Sequence, residues 1–190
     1  MSINDILVKA RSIRRFDAKR TVEYDILSDL IEGVRYTPST SNLQALKFYI
    51  SNDKETNALI RANTAWARLL DGYNGPSEEE NPTAYIVICL DTYISDKVEL
   101  FRKDVGIAAQ TINLLACEKG LGCCMIGSFG ASRLISDLSL SSNLSPQLVL
   151  ALGYPAESPT VIDADGDVKY FRDEKGDHFV PKRTLSELII

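Results

Sequence analysis

Ala84-Tyr85-Ile86-Val87-Ile88-Cys89-Leu90 is a continuous apolar run rich in β-branched side chains. A strand with one wet face alternates apolar and polar residues; a strand without alternation has to be covered on both faces, so this run predicts a central strand. Downstream, over residues 104–119, the period changes. Val105, Ala108, Ala109, Ile112, Leu115 and Ala116 make one helical face, which Ile107 and Leu114 widen, and the pattern predicts a helix buried nearly all round. Gly120 and Gly122 stop it, and Cys123-Cys124-Met125-Ile126 reads as a strand emptying into Gly127-Ser128 before a helix near residues 131–138. Residues 147–152 form another buried strand.

Upstream, Val22, Ile26, Leu27, Leu30, Ile31 and Val34 recur at helical spacing over residues 21–36, with Thr21 available as the N-cap. Residues 46–50 are a short strand. A charged, Asn-rich helical region follows, then a loop through Gly72 and Gly75 to Pro82, with Glu78, Glu79 and Glu80 expected in solvent. After Pro159 the pattern predicts a β-hairpin turning at Asp165-Gly166, with residues 168–171 strand-like. Strands alternating with helices give a layered α/β or α+β domain, one unit over residues 1–190.

The composition, 45% hydrophobic and 25% charged, is that of an ordinary globular domain. A net charge of −5 makes the surface as a whole repel nucleic acid and anionic membranes, so neither is an expected partner. The start Met1-Ser2-Ile3-Asn4-Asp5 lacks a basic stretch followed by an apolar run, and no window approaches the roughly 20 apolar residues of a membrane span. A soluble, unprocessed, cytoplasmic protein is the expectation. Cys89, Cys117, Cys123 and Cys124 form no C-x-x-C pair, and the chain has one histidine, His178, which leaves too few plausible ligands for zinc. The cysteines read as buried thiols; Cys123 and Cys124, adjacent on a strand, should face opposite sides.

One histidine also leaves little room for a Ser-His-Asp or Cys-His arrangement, and G-x-S-x-G, G-x-x-x-x-G-K-[ST] and G-x-G-x-x-G are all missing. Any phosphate must therefore be held by arginines. Asp163, Asp165, Asp167 and Glu174 imitate a calcium loop, but Val168 takes the place where that loop requires glycine, so the segment reads as a turn. Arg11-Ser12-Ile13-Arg14-Arg15-Phe16 offers guanidiniums and a hydroxyl that can fork around a phosphate near the end of a short helix. Taken alone, such a hexapeptide is more often a solvated face.

Further segments stand in order around it: Pro38-Ser39-Thr40-Ser41-Asn42-Leu43-Gln44 after the first long helix, a helix followed by Gly120-Leu121-Gly122 and Ile126-Gly127, then Ala151-Leu152-Gly153-Tyr154-Pro155 and Pro181-Lys182-Arg183-Thr184-Leu185. Over nearly its whole length the chain resembles the nitroreductase family. The resemblance implies a nitroreductase-like fold, with a central mixed β-sheet flanked by helices, in an intertwined homodimer. It also implies FMN as cofactor and NADH or NADPH as electron donor.

By the same resemblance, Arg11, Ser12 and Arg14 hold the FMN phosphate and flank the flavin ring, and Lys182 and Arg183 close on the phosphate. Pro38, Ser39, Thr40, Asn42 and Gln44 belong to the loop that reaches the partner's flavin. Ile126, Gly127 and Ser128 are the turn whose backbone N–H groups meet flavin N5 and O4. Ala10 stands where some members have a further arginine, and Ala45 where a proline is common. Trp66, Tyr73 and Phe129 are substrate-side candidates, although aromatics are more often core.

No residue is expected to act as a catalytic acid or base, since flavin N5 carries the hydride, and no metal is expected. The implied activity passes hydride from NAD(P)H to a small acceptor such as a nitroaromatic or quinone. The alternative is a flavin-binding or flavin-delivery protein of the same fold without useful turnover.

Overall fold

In the computed structural model, which describes residues 1–67, 70 and 72–190, β2 (Ala84–Asp91) is the strand on which the molecule is built. It lies between β1 (Leu46–Ser51) and β4 (Leu144–Gly153), and β3 (Gly122–Ile126) completes the order β1-β2-β4-β3. All three pairings are antiparallel. The mixed character expected of this sheet is limited to a parallel bridge between Ser12 and Cys123 on its edge. Opposite Ile88 and Cys89 the register skips Gln147 of β4, an irregularity beside Pro146, which has no N–H to give the ladder.

Residues 84–90 are buried throughout, and the strand period of two distributes them between two cores. Ala84, Ile86 and Ile88 face Leu27, Leu30 and Val34 of α2 (Tyr24–Arg35) and Ala108, Ala109 and Ile112 of α4 (Val98–Glu118). Tyr85, Val87 and Cys89 pack in a second cluster with Phe16, Ile60 of α3 (Lys54–Ala62) and Leu134 of α5 (Ala131–Asp137). Cys123 joins the first core and Cys124 the second, as their adjacency on a strand requires, and all four thiols are free.

Three expectations change. First, α2 begins at Tyr24 behind Glu23, with no side-chain cap, so Thr21 is not its N-cap. Second, α4 starts six residues earlier than the apolar periodicity suggested and is buried on one side in the chain: Ile107 is exposed, Leu114 half-buried and Leu100 exposed. Third, β5 (Thr160–Asp163) and β6 (Phe171–Arg172) are not hairpin partners, because β7 (His178–Lys182) lies between them, parallel to β5 and antiparallel to β6. Gly166 does turn with φ +77°, but the tight hairpin is β6–β7, closed by Asp173, whose carboxylate accepts from the N–H groups of Lys175 and Asp177. The chain ends in α6 (Leu185–Leu188), with Leu185, Leu188, Ile189 and Ile190 exposed. Among the described residues no helix is long and apolar enough to cross a membrane.

Candidate functional site

The basic segment leaves α1 (Ile3–Lys9), whose start is fixed by a capping box between Ser2 and Asp5. It then runs along the edge of β3. The Ile13 N–H donates to Cys123 O at 3.0 Å, and Phe16 makes a bridge to Pro155. Glycine makes this path possible, since a Cβ on Gly122 would come within 2.7 Å of Ile13, and one on Gly153 within 2.9 Å of Phe16. Gly122 thus opens β3 rather than ending α4, which stops at Glu118 ahead of Gly120.

The path brings Arg11, Ser12 and Arg14 to one side of a cavity of about 300 Å³, and β7 brings Lys182 to it from the far end of the chain. Gln110 and Asn113 of α4, Met125 and Tyr170 add further walls, and among the described residues no carboxylate lines it. Asn113, a polar interruption in the apolar face of α4, is buried and donates to the carbonyl of Ala10 at 3.2 Å, fixing the exit from α1. Ala10 is itself buried, so the missing family arginine would have to displace packed atoms. Arg11 donates through Nη2 to Leu7 O at 2.6 Å, while its buried Nε finds no partner among the described residues. Three cations with unsaturated donors, and no carboxylate in the wall among the described residues, suit an anion.

A second cavity, about 250 Å³, adjoins the first and shares Arg14, Met125 and Tyr170 with it. Ile126, Gly127 and Ser128 line it together with Trp66. The turn is pinned: Ala65 N–H donates to Ser128 O at 2.8 Å, and Gly130 N–H to Asn63 O at 2.9 Å. A Cβ on Gly127 would touch nothing within 4 Å, so packing within the chain does not itself demand glycine there. The two cavities together set Arg11, Arg14 and Lys182 on one side and the turn of residues 126–128 on the other.

The other expected residues lie elsewhere. Pro38, Ser39 and Gln44 line a separate cavity of about 430 Å³ between α2, β1 and α4, with no residue in common with the first two. Thr40 is engaged by Asp104, which accepts from its N–H at 2.8 Å and its hydroxyl at 2.7 Å, and Gln44 donates to Asn42 O at 3.2 Å. Neither Thr40 nor Asn42 lines any of these cavities. Ser41, Asn42 and Gln44 all have φ near +50°, a costly conformation for residues other than glycine. Arg183 is not brought to the basic cavity either. It follows Lys182 at the end of a strand, where neighbours point to opposite sides, and it pairs with Glu187 at 3.4 Å.

Of the aromatic candidates, Trp66 lines the second cavity with its indole N–H donating to Thr64 Oγ1 at 3.1 Å, Tyr73 donates to Arg14 O at 2.7 Å, and Phe129 packs on the core. Burial pushes the Tyr73 hydroxyl well above its ordinary pKa.

Sequence reasoning missed Tyr170, whose ring lies 4.7 Å from the Arg14 guanidinium, and Glu157, whose buried carboxylate meets Arg172 at 2.5 Å. His178, which the sequence offers only as a lone histidine, lies 3.9 Å from Glu157 and edge-on to Tyr170. Burial first, then the charge of Arg14, lowers the His178 pKa to about 4. Burial likewise raises Cys124 to about 11 and Cys89 to about 12, which leaves both thiols unreactive near neutrality.

The chain as a whole is similar to known proteins. The Nitroreductase family model matches residues 7–154. A protein of Methanothermobacter thermautotrophicus named for NADH dehydrogenase/NAD(P)H nitroreductase activity is 23% identical over 167 residues, covering 86% of this chain and 82% of its own. An FMN-dependent nitroreductase of Clostridium difficile R20291 superposes with a TM-score of 0.66 at 26% identity, over 85% of this chain and 92% of that one. A Desulfovibrio desulfuricans chain crystallised in complex with FMN has a TM-score of 0.74 at 21% identity, over 100% and 96% of the two chains.

Proposed function

Because the chain belongs to the nitroreductase family, we propose that it is an FMN-dependent NAD(P)H oxidoreductase. The observation that carries this reading is the meeting of Arg11, Ser12, Arg14 and Lys182 at one cavity, lined by no carboxylate among the described residues and adjoining the turn of residues 126–128. The relative from Clostridium difficile is itself FMN-dependent.

Arg11, Arg14 and Lys182 would hold the terminal phosphate, with Ser12 as a further donor. The donor set fits a phosphate dianion, and the unpartnered Arg11 Nε supplies an N–H that such a group would satisfy. Ile126, Gly127 and Ser128 would present backbone groups to the ring, and the missing side chain of Gly127 leaves that approach open. When bound, the flavin would supply two-electron hydride chemistry between NADH or NADPH and a small acceptor such as a nitroaromatic or quinone. The protein's part is to bind and orient; Trp66 and Tyr170 bound the space on the ring side.

The loop of residues 38–44 faces a different cavity in its own chain, which suits a homodimer in which it completes the partner's site. Leu100 and Ile107 on α4, with the apolar C-terminus, offer surface for such an interface.

The absorption spectrum of the purified protein, before and after anaerobic NADH or NADPH, tests the proposal. FMN released on denaturation, bleaching by the nucleotide and reoxidation by added quinone are expected. Bound flavin that the nucleotides fail to reduce would favour flavin delivery without turnover. No flavin after reconstitution with excess FMN would overturn the reading.

A further inference from the structure

Past Ile13 the basic segment leaves β3, so the N–H groups of Arg14 and Arg15 have no strand to pair with. Buried backbone donors must find partners elsewhere. Both donate to one carboxylate oxygen of Glu157, Arg15 at 3.2 Å. The Glu157 side chain is only 7% exposed, and its second oxygen accepts from Arg172 Nη2. Arg172 in turn donates to Gly176 O at 3.0 Å, which ties the carboxylate to the β6–β7 turn. From the other side, the Tyr73 hydroxyl donates to Arg14 O. The main chain of Arg14 is thus gripped at both its N–H and its C=O, while its guanidinium lies against Tyr170 and lines both cavities.

Glu157 and Arg172 lie beyond Tyr154, where the family match ends. We propose that Glu157 is a positioning residue that sets Arg14 for the cofactor phosphate, and so confers preference for a phosphorylated flavin over its unphosphorylated form. The proposal rests on the FMN reading above. A carboxylate suits the task because charge-assisted bonds to N–H groups are short and strong and cannot reverse polarity. A glutamine there keeps the shape but loses the charge that attracts the two N–H groups and Arg172.

The test titrates flavin-free wild type, Glu157→Gln and Tyr73→Phe with FMN and with riboflavin, following flavin fluorescence. Riboflavin lacks the phosphate, so it reports the ring side alone. We expect the wild type to prefer FMN, and Glu157→Gln to lose about tenfold in FMN affinity, the low end for a hydrogen bond to a charged group. Its riboflavin affinity should stay within about twofold of the wild type's, since scatter of a few tenths of a kcal/mol is usual between variants. Tyr73→Phe should lose roughly threefold for FMN alone, as for a neutral hydrogen bond.

A wild type that prefers FMN beside a folded Glu157→Gln that keeps that preference, or weakens both ligands equally, overturns the proposal and leaves the phosphate reading standing. A wild type indifferent to the phosphate removes both. If Glu157→Gln shows no cooperative thermal transition, Tyr73→Phe decides, and an unchanged FMN-to-riboflavin ratio overturns the proposal.

Discussion

A Cβ on Gly122 would lie 2.7 Å from Cγ1 of Ile13 and 2.8 Å from its Cβ, so β3 and the basic segment approach more closely than a side chain permits. The atoms in the way belong to the root of Ile13 and cannot swing aside as the tip of a flexible side chain could. Gly122→Ala should therefore push the segment outward at a cost of about 1–3 kcal/mol, the usual penalty for overpacking. Arg11 and Ser12 would move with it. We expect a lower urea midpoint at unchanged slope and weaker FMN binding; a wild-type midpoint would show that the close approach is dispensable.

Arg11 and Arg183 separate two readings of the chain's basic residues. Arg11 lines the basic cavity and has a buried, unpartnered Nε, whereas Arg183 is about half exposed and paired with Glu187. Arg11→Ala should weaken FMN by roughly 1.5–3 kcal/mol, the worth of a hydrogen bond to a charged group, and reduce the salt dependence of binding. Arg183→Ala should cost less than about 1 kcal/mol, as for an exposed ion pair. Equal losses in isothermal titration would return Arg183 to the phosphate.

The central strand was legible because residues 84–90 lack alternation, and only a strand covered on both faces tolerates that. The basic segment, the turn of residues 126–128 and Lys182 can be named from their motifs; Arg11, Ser12, Arg14 and Lys182 line one cavity and residues 126–128 an adjoining one. What could not be read depends on partners distant in sequence. Glu157 follows a glycine turn and resembles any surface glutamate until Arg14, Arg15 and Arg172 close on it. The hairpin was misplaced because Asp165-Gly166 is a strong turn signal, and periodicity does not reveal that β7 will occupy the position beside β5. The motif holds both Lys182 and Arg183, whereas alternation along a strand end turns them to opposite sides, and of the two Lys182 lines the basic cavity.

His178 gives acid sensitivity of a definite sign. Its pKa falls to about 4 in the folded chain, by burial first and by the charge of Arg14 next, against 6.5 for the ordinary side chain. Between those values the unfolded chain binds a proton that the folded chain refuses, so the contribution is complete above about pH 6.5 and is lost as pH falls toward 4. His178→Phe keeps a ring in the cavity beside Tyr170 but cannot titrate. Its urea midpoint should fall less steeply than the wild type's between pH 7 and 4; parallel curves would show that His178 charges freely.

Thr40 links the loop to assembly. Its N–H and hydroxyl both donate to Asp104, which is buried on α4, so the loop of residues 38–44 is held by the same helix whose Leu100 and Ile107 are exposed. If that loop completes the partner's flavin site, cofactor and dimer must stabilise each other, by about 2.7 kcal/mol when FMN stands at a hundred times its Kd. Flavin-free protein should then dissociate at concentrations where the holoprotein remains dimeric. Asp104→Asn turns an amide N–H₂ toward donors and should loosen the loop without touching Arg11, Arg14 or Lys182. Both the dimer and FMN affinity should weaken in that variant, as read by sedimentation over a concentration series with and without FMN. A monomer that keeps full FMN affinity would defeat the shared site, because every residue needed to hold the cofactor would then belong to one chain.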